Sequence, residues 1–256
     1  ANVLPLFATE VQRALTSNTL FDDDAADGVV IRPLECLDDM LTASHAWPTG
    51  IDFFDDLTEG GVRTRKLWGL LAPTGGGKTT ISIQLLMSWV RQGANHFAVY
   101  ASYEQPIEGD ITERIVTLTT DKPRSLFRDK ACAEWDPELR TLVDRRKALF
   151  SNRVVCLDYS KNNESGCDGI DNVKRNLDKM GILKRLDDPT FDAKTDPPVL
   201  VLIDWLIPMV QRYMNKHTEG MAAVGNELRA IGSDMIDNIK TFKNSYNVIV
   251  LITHQL

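Results

Sequence analysis

Five short runs of almost unbroken apolar character recur along the chain: KLWGLLA (66–72), HFAVYAS (96–102), RVVCLDY (153–159), PVLVLID (198–204) and NVIVLIT (247–253). Runs of this length with little polar alternation predict strands covered on both faces, as in a parallel sheet. The intervening stretches carry helical spacing. In the clearest case Met221, Val224, Leu228, Ile231, Met235, Ile239 and Phe242 lie three or four positions apart, one apolar stripe on a long helix. Strands alternating with such helices predict an α/β fold, a doubly wound, mostly parallel sheet flanked by helices, over residues 47–256. Residues 1–46 differ. Their acidic, small-residue stretch FDDDAADG reads as loop or linker, with short helices expected around Ala8–Thr16 and Pro33–Thr42. We read this part as an arm that packs on something else.

Composition changes the picture little. At 256 residues, 43% hydrophobic and 25% charged, the chain suits one large α/β domain or two small ones. No uncharged apolar run approaches the ~20 residues of a membrane helix, and ANVLPLFATE has no secretory signal character. A cytoplasmic protein with no membrane partner is expected. The net charge of −7 argues against coating nucleic acid through bulk basicity but leaves room for a local basic groove. Cys36, Cys132, Cys156 and Cys167 show neither CxxC pairing nor histidines at metal spacing, so reduced structural thiols are expected. A chain that opens on Ala1 and stops at THQL is expected to be a piece of a longer protein.

Chemistry enters at LLAPTGGGKTTISIQLL (70–86), a short apolar strand, a glycine hinge and an amphipathic helix. Gly75, Gly76 and Gly77 let the backbone turn tightly and aim successive N–H groups at an anion, and the following helix adds its positive dipole end. Lys78 then neutralises the β- and γ-phosphates, and the Thr79 hydroxyl suits Mg²⁺. Thr74, Gly75, Gly76, Gly77, Lys78, Thr79 and Thr80 form the expected nucleotide cradle, with ATP and Mg²⁺ as ligands. Ala72 departs from the pattern, standing where such loops normally open with glycine.

Ligands of open α/β sheets sit beyond the carboxyl ends of the strands. Glu104, Asp158, Asp204 and Gln255 all sit at or just past such ends. Asp204 closes the most apolar strand and suits the magnesium-linked carboxylate, with Asp158 as its rival; for either, the alternative is a strand-end aspartate capping the next turn. Glu104 precedes Gln105-Pro106, where proline is well placed to start a helix. It is either a general base that activates the attacking water or a carboxylate stabilised by a helix N-terminus. Gln255 offers a neutral amide that senses the γ-phosphate, whereas the neighbouring His254 is read as structural.

With these residues in place, Trp47 to Leu256 resembles the RecA-like ATPases, and among them the DnaB-type replicative helicases. TGIDFFDDLTEGGV is similar to the Thr-Gly…Leu-Asp…Gly-Gly lead-in of that superfamily, and APTGGGKTT to the helicases' phosphate loop, which commonly opens with alanine. SYEQP resembles Ser-Leu-Glu-Met-Pro, LIDWLIPM the Asp-Tyr-Leu-Gln-Leu-Met stretch, and NVIVLITHQL the strand ending in Ser-Gln-Leu. The resemblance implies Glu104 as the catalytic glutamate, Asp204 rather than Asp158 as the magnesium-linked aspartate, and Gln255 as the γ-phosphate sensor.

It further implies a homo-oligomer, a hexameric ring with single-stranded DNA in its channel, and a primase or helicase loader as partner. The alternative is a recombinase-like filament or KaiC-like switch that hydrolyses ATP without unwinding. The family's arginine finger and second DNA loop follow the Gln-Leu pair and are expected beyond Leu256. A first DNA loop is expected at QRYMNKHTEG (211–220), with Arg212 and Lys216 on phosphates. His254 in place of serine, the basic Arg63–Lys66 run and a long insert at 184–198 point to a phage or plasmid relative, which places the protein in a bacterial host cytoplasm.

Overall fold

Apolar runs without alternation can be buried only between two layers, and that is how they are used. The computed structural model describes residues 45–128, 135–160, 168–204, 206–218 and 225–255. A short antiparallel pair, β1 (Ala46–Trp47) and β2 (Val62–Arg63), brackets α1 (Asp52–Leu57). There follow β3 (Leu67–Ala72), α2 (Lys78–Arg91), β4 (Ala98–Ser102), α3 (Thr112–Thr120), α4 (Ser125–Arg128) and α5 (Pro137–Phe150). β5 (Val154–Asp158), α6 (Ile170–Lys179), β6 (Val199–Asp204), α7 (Leu206–Thr218), α8 (Gly225–Ser245) and β7 (Val248–Gln255) complete the order.

The five expected strands form one sheet in the order β3-β7-β6-β4-β5, and every pairing in it is parallel. Successive side chains alternate between faces. Ala98, Tyr100, Leu200, Leu202, Ile249 and Leu251 pack with Ile83, Leu86 and Trp89 of α2. Val99, Ala101, Val201, Ile203, Val250 and Ile252 pack with α6, α7 and α8 on the other face. Each large side chain so covered is worth about 1.5–3 kcal/mol. Full burial belongs to the inner strands; β3 and β5, at the sheet's edges, are only half-buried despite equally apolar sequences. The described part of the apolar stripe agrees with its helix, for Met235, Ile239 and Phe242 of α8 are buried. Met221 and Val224, the side chains of Leu228 and Ile231, and the helices expected at Ala8–Thr16 and Pro33–Thr42 lie outside the described residues, as does all of the expected arm except its last two positions.

The lead-in motif closes a turn and fastens it to the sheet. The Asp55 carboxylate accepts from Thr49 N–H (2.6 Å), Thr49 Oγ1 (2.7 Å) and Gly50 N–H (3.0 Å), closing the turn before α1. Gly61, at φ +127°, passes so close to β1 that a Cβ would lie 2.1 Å from the Trp47 carbonyl oxygen. Ser88 Oγ and Gln92 Nε2 of α2 then bond the Gly50 and Pro48 carbonyls, each at 2.8 Å, holding this unit beside the phosphate-loop helix.

Candidate functional site

The three loop glycines serve different ends. Gly75 and Gly77 adopt left-handed φ values of +76° and +82°, which glycine reaches without the strain of a Cβ. Gly76 is needed for space: a Cβ there would lie 3.0 Å from both the Ala72 Cβ and the Pro73 carbonyl oxygen. The alanine that replaces the usual opening glycine thus presses directly on the middle glycine. Gly77 caps α2 and brings no side-chain acceptor, so the first N–H groups of the helix remain available to an anion. Lys78 Nζ donates to the Ala72 and Pro73 carbonyls at 2.8 and 2.9 Å, holding its charge over the loop. A cleft of about 260 Å³ opens here, lined by Thr74 to Thr80 together with Glu104, Gln105, Arg114 and Asp204.

Asp204 is 5% exposed, and a carboxylate so buried needs donors. Three hydroxyls supply them. Thr253 Oγ1 donates to Oδ1 at 2.6 Å, Thr79 Oγ1 to Oδ2 at 3.1 Å, and the Tyr100 hydroxyl also to Oδ2. Burial, reinforced by the Asp204 charge, holds the Tyr100 phenol far above its ordinary value, so it remains a donor. A hydroxyl and a carboxylate oxygen side by side are the hard ligands Mg²⁺ takes, the rest of its shell coming from phosphate and water. Among the described residues no cluster of three acidic, histidine or cysteine side chains offers a self-sufficient metal site. The rival Asp158 shapes a loop instead: it accepts from Ile107 N–H (3.0 Å) and from the N–H and Oγ of Ser160 (2.9 and 2.6 Å).

Glu104 is exposed at the mouth of the cleft. Partial desolvation, then the nearby Asp204 charge, raises its carboxyl above the ordinary value, and Lys78 opposes the shift. The helix expected to start at Pro106 does not form. Pro106 is extended (ψ 139°), Ile107–Ile111 makes a wide turn in which Gly109 takes φ +95°, and α3 begins only at Thr112. Stabilisation of Glu104 by a helix N-terminus at Pro106 is therefore not available.

The backbone of Gln255 pairs with Ala72, level with the phosphate loop, while its side chain lies outside the described residues. His254 is buried, and its Nδ1 finds no partner among the described residues. Burial, and then the Lys78 charge, lowers its affinity for a proton, which suits a neutral structural residue. The stretch expected as a loop from 211 is helical as far as Thr218, the end of α7. Arg212 lies within it and donates to the carbonyls of Ser160 (2.8 Å) and Tyr103 (3.2 Å). Lys216 is on the same helix, its side chain outside the described residues.

Sequence reading missed Arg114. From α3 its NH1 donates to Thr80 Oγ1 at 3.2 Å, across 34 residues, and its buried Nε has no hydrogen-bond partner among the described residues. It thereby brings a cation to the wall of the cleft. No motif marks it, since a lone arginine on an amphipathic helix looks like any surface charge. Tyr100 and Thr253 were likewise read only as strand residues.

No protein-family profile matches the chain. It is 27% identical over 169 residues to the circadian clock oscillator protein KaiC of Prochlorococcus marinus, and 26% identical over 166 residues to KaiC of Prochlorococcus marinus subsp. pastoris. Each match takes in 65% of this chain, which spans only 26% of those KaiC proteins. Among solved structures the chain is similar to the ATPase domain of a DnaB-like helicase, with a TM-score of 0.52 at 16% identity over 92% of this chain and 72% of that one. A five-stranded parallel sheet, helices on both faces and a phosphate loop after its first strand give this chain the RecA-like P-loop ATPase fold, shared with that ATPase domain.

Proposed function

We propose that this chain is the motor core of an ATP-driven DNA helicase of DnaB type, which hydrolyses ATP between subunits and moves along single-stranded DNA. The observation that carries the hydrolytic part is the convergence of Lys78, Thr79, Glu104 and Asp204 on one cleft at the carboxyl ends of the strands. The helicase part is supported by the ordered set of motifs from the lead-in to the Gln-Leu pair.

In this mechanism the backbone N–H groups of Gly75 to Thr79 and the Lys78 ammonium bind and orient the triphosphate. Thr79 and Asp204 hold Mg²⁺, which supplies charge neutralisation on the phosphate oxygens. Glu104 accepts the proton of the water that attacks the γ-phosphorus, and ADP leaves with the bond electrons. Gln255 reads whether the γ-phosphate is present. Arg114, through its bond to Thr80, contributes to nucleotide binding from the cleft wall. The arm over 1–46 docks on a neighbouring subunit of a ring.

A second reading, an oligomeric ATPase switch without unwinding, is favoured by the KaiC matches. Strand separation by the full-length protein on a forked duplex with a single-stranded tail decides between them. ATP-dependent separation, lost in Lys78→Ala, supports the helicase; ATP turnover with no separation on any tailed duplex supports the switch. Full turnover in Glu104→Gln, or nucleotide binding unaffected by Lys78→Ala, would refute the assigned chemistry.

A further inference from the structure

Glu104 owes its position to its backbone. Its carboxylate receives no hydrogen bond among the described residues, whereas the residue before it is held on every side. Tyr103 N–H donates to the Asp204 carbonyl at 2.7 Å, which fixes the peptide plane preceding Tyr103. The Tyr103 ring is 1% exposed, lies 4.9 Å from that of Tyr159, and its hydroxyl donates to the Gly169 carbonyl at 3.2 Å. The next peptide plane, from the Tyr103 carbonyl to the Glu104 N–H, is the one that aims the glutamate. Its carbonyl accepts from Arg212 at 3.2 Å. The same NH2 group donates to the Ser160 carbonyl at 2.8 Å, in the loop that follows β5. One guanidinium on α7 therefore braces the ends of two strands, β4 and β5, and α7 itself leaves the sheet immediately after Asp204.

We propose that Arg212 is a positioning residue for Glu104: it sets the peptide that carries the base, so turnover depends on it although it never touches nucleotide. This rests on the reading of Glu104 as the general base. A planar fork with several donors is suited to holding two carbonyls at once, which a methionine of similar length cannot do. Loss of the brace lets the Tyr103–Glu104 peptide rotate, and a base displaced by ~1 Å loses roughly ten- to a hundredfold in rate.

The test compares Arg212→Met, Arg212→Lys, Glu104→Gln and the Arg212→Met/Glu104→Gln double variant in the full-length protein, measuring ATP turnover, ATP affinity, melting temperature and affinity for single-stranded DNA. The expected result is a kcat lowered roughly ten- to a hundredfold in Arg212→Met, with ATP affinity and melting temperature kept, and partial recovery in Arg212→Lys. In the Glu104→Gln background the same change should add almost nothing, because the two act as one unit. If Arg212→Met does not fold, the kcat and affinity split is read on Arg212→Lys. Unchanged kcat overturns the inference, as does an equal loss in both backgrounds. So does weaker DNA binding with normal DNA-independent turnover, which would make Arg212 a phosphate contact. Normal turnover in Glu104→Gln refutes the assigned base, and the positioning role with it.

Discussion

Tyr100→Phe removes a single oxygen and isolates what holds Asp204. The ring stays in its layer between α2 and the sheet, where Tyr100 is fully buried, so apolar packing is preserved. What is lost is the phenol's bond to Asp204 Oδ2, which keeps only Thr79 Oγ1 at 3.1 Å while Oδ1 keeps Thr253 Oγ1 at 2.6 Å. A hydrogen bond to a charged group is worth about 1.5–3 kcal/mol, against about 0.5–1.5 for a neutral one. For a chain of this size each kcal/mol moves the melting temperature by ~2–4 °C, so Tyr100→Phe should melt roughly 3–12 °C below the parent. Tyr103→Phe is the internal control, because its hydroxyl meets a neutral carbonyl at 3.2 Å and should cost less. Calorimetric melting of both variants, alone and over Asp204→Asn, gives the comparison. In the Asp204→Asn background the cost of Tyr100→Phe should shrink towards that of a neutral bond. A Tyr100→Phe protein that melts with the parent, or a cost unchanged by Asp204→Asn, would refute the view that a charged Asp204 is held by this phenol.

Four further outcomes are expected. Gly76→Ala should weaken ATP binding roughly tenfold or more, since overpacking costs about 1–3 kcal/mol; adding Ala72→Gly should recover part of this, because one of the two 3.0 Å contacts is then gone. Arg114→Ala should raise the Kd for ATP by about tenfold or more, the worth of a charge-assisted bond, and titration calorimetry showing equal affinity would remove Arg114 from the site. Glu104 must be charged to accept a proton, and its carboxyl is raised above the ordinary 4.5, so kcat should fall with acidification at a midpoint above that value; a midpoint at or below it contradicts the desolvation. The Cys156 thiol is pushed up to about 11 by burial, so mass spectrometry should find it unalkylated by iodoacetamide at neutral pH until the protein is unfolded.

The sequence by itself determined the strands, the phosphate loop and the short list of strand-end polar residues. Each of these is written in neighbouring positions: an unbroken apolar run must be covered on both faces, and consecutive glycines before Lys-Thr turn the chain whatever surrounds them. Even the choice of Asp204 over Asp158 follows from local character, and the structure sets Asp158 to closing a loop while Asp204 lines the cleft. The tertiary structure decided which donors satisfy Asp204, because Tyr100 and Thr253 reach it only through the β4-β6-β7 adjacency. It decided that Arg114 belongs to the cleft, that the chain stays helical past Arg212, and that a wide turn replaces the helix expected at Pro106. These depend on strand order and on contacts between residues tens to a hundred positions apart, and a charge or a turn on its own says nothing of what the fold will place beside it.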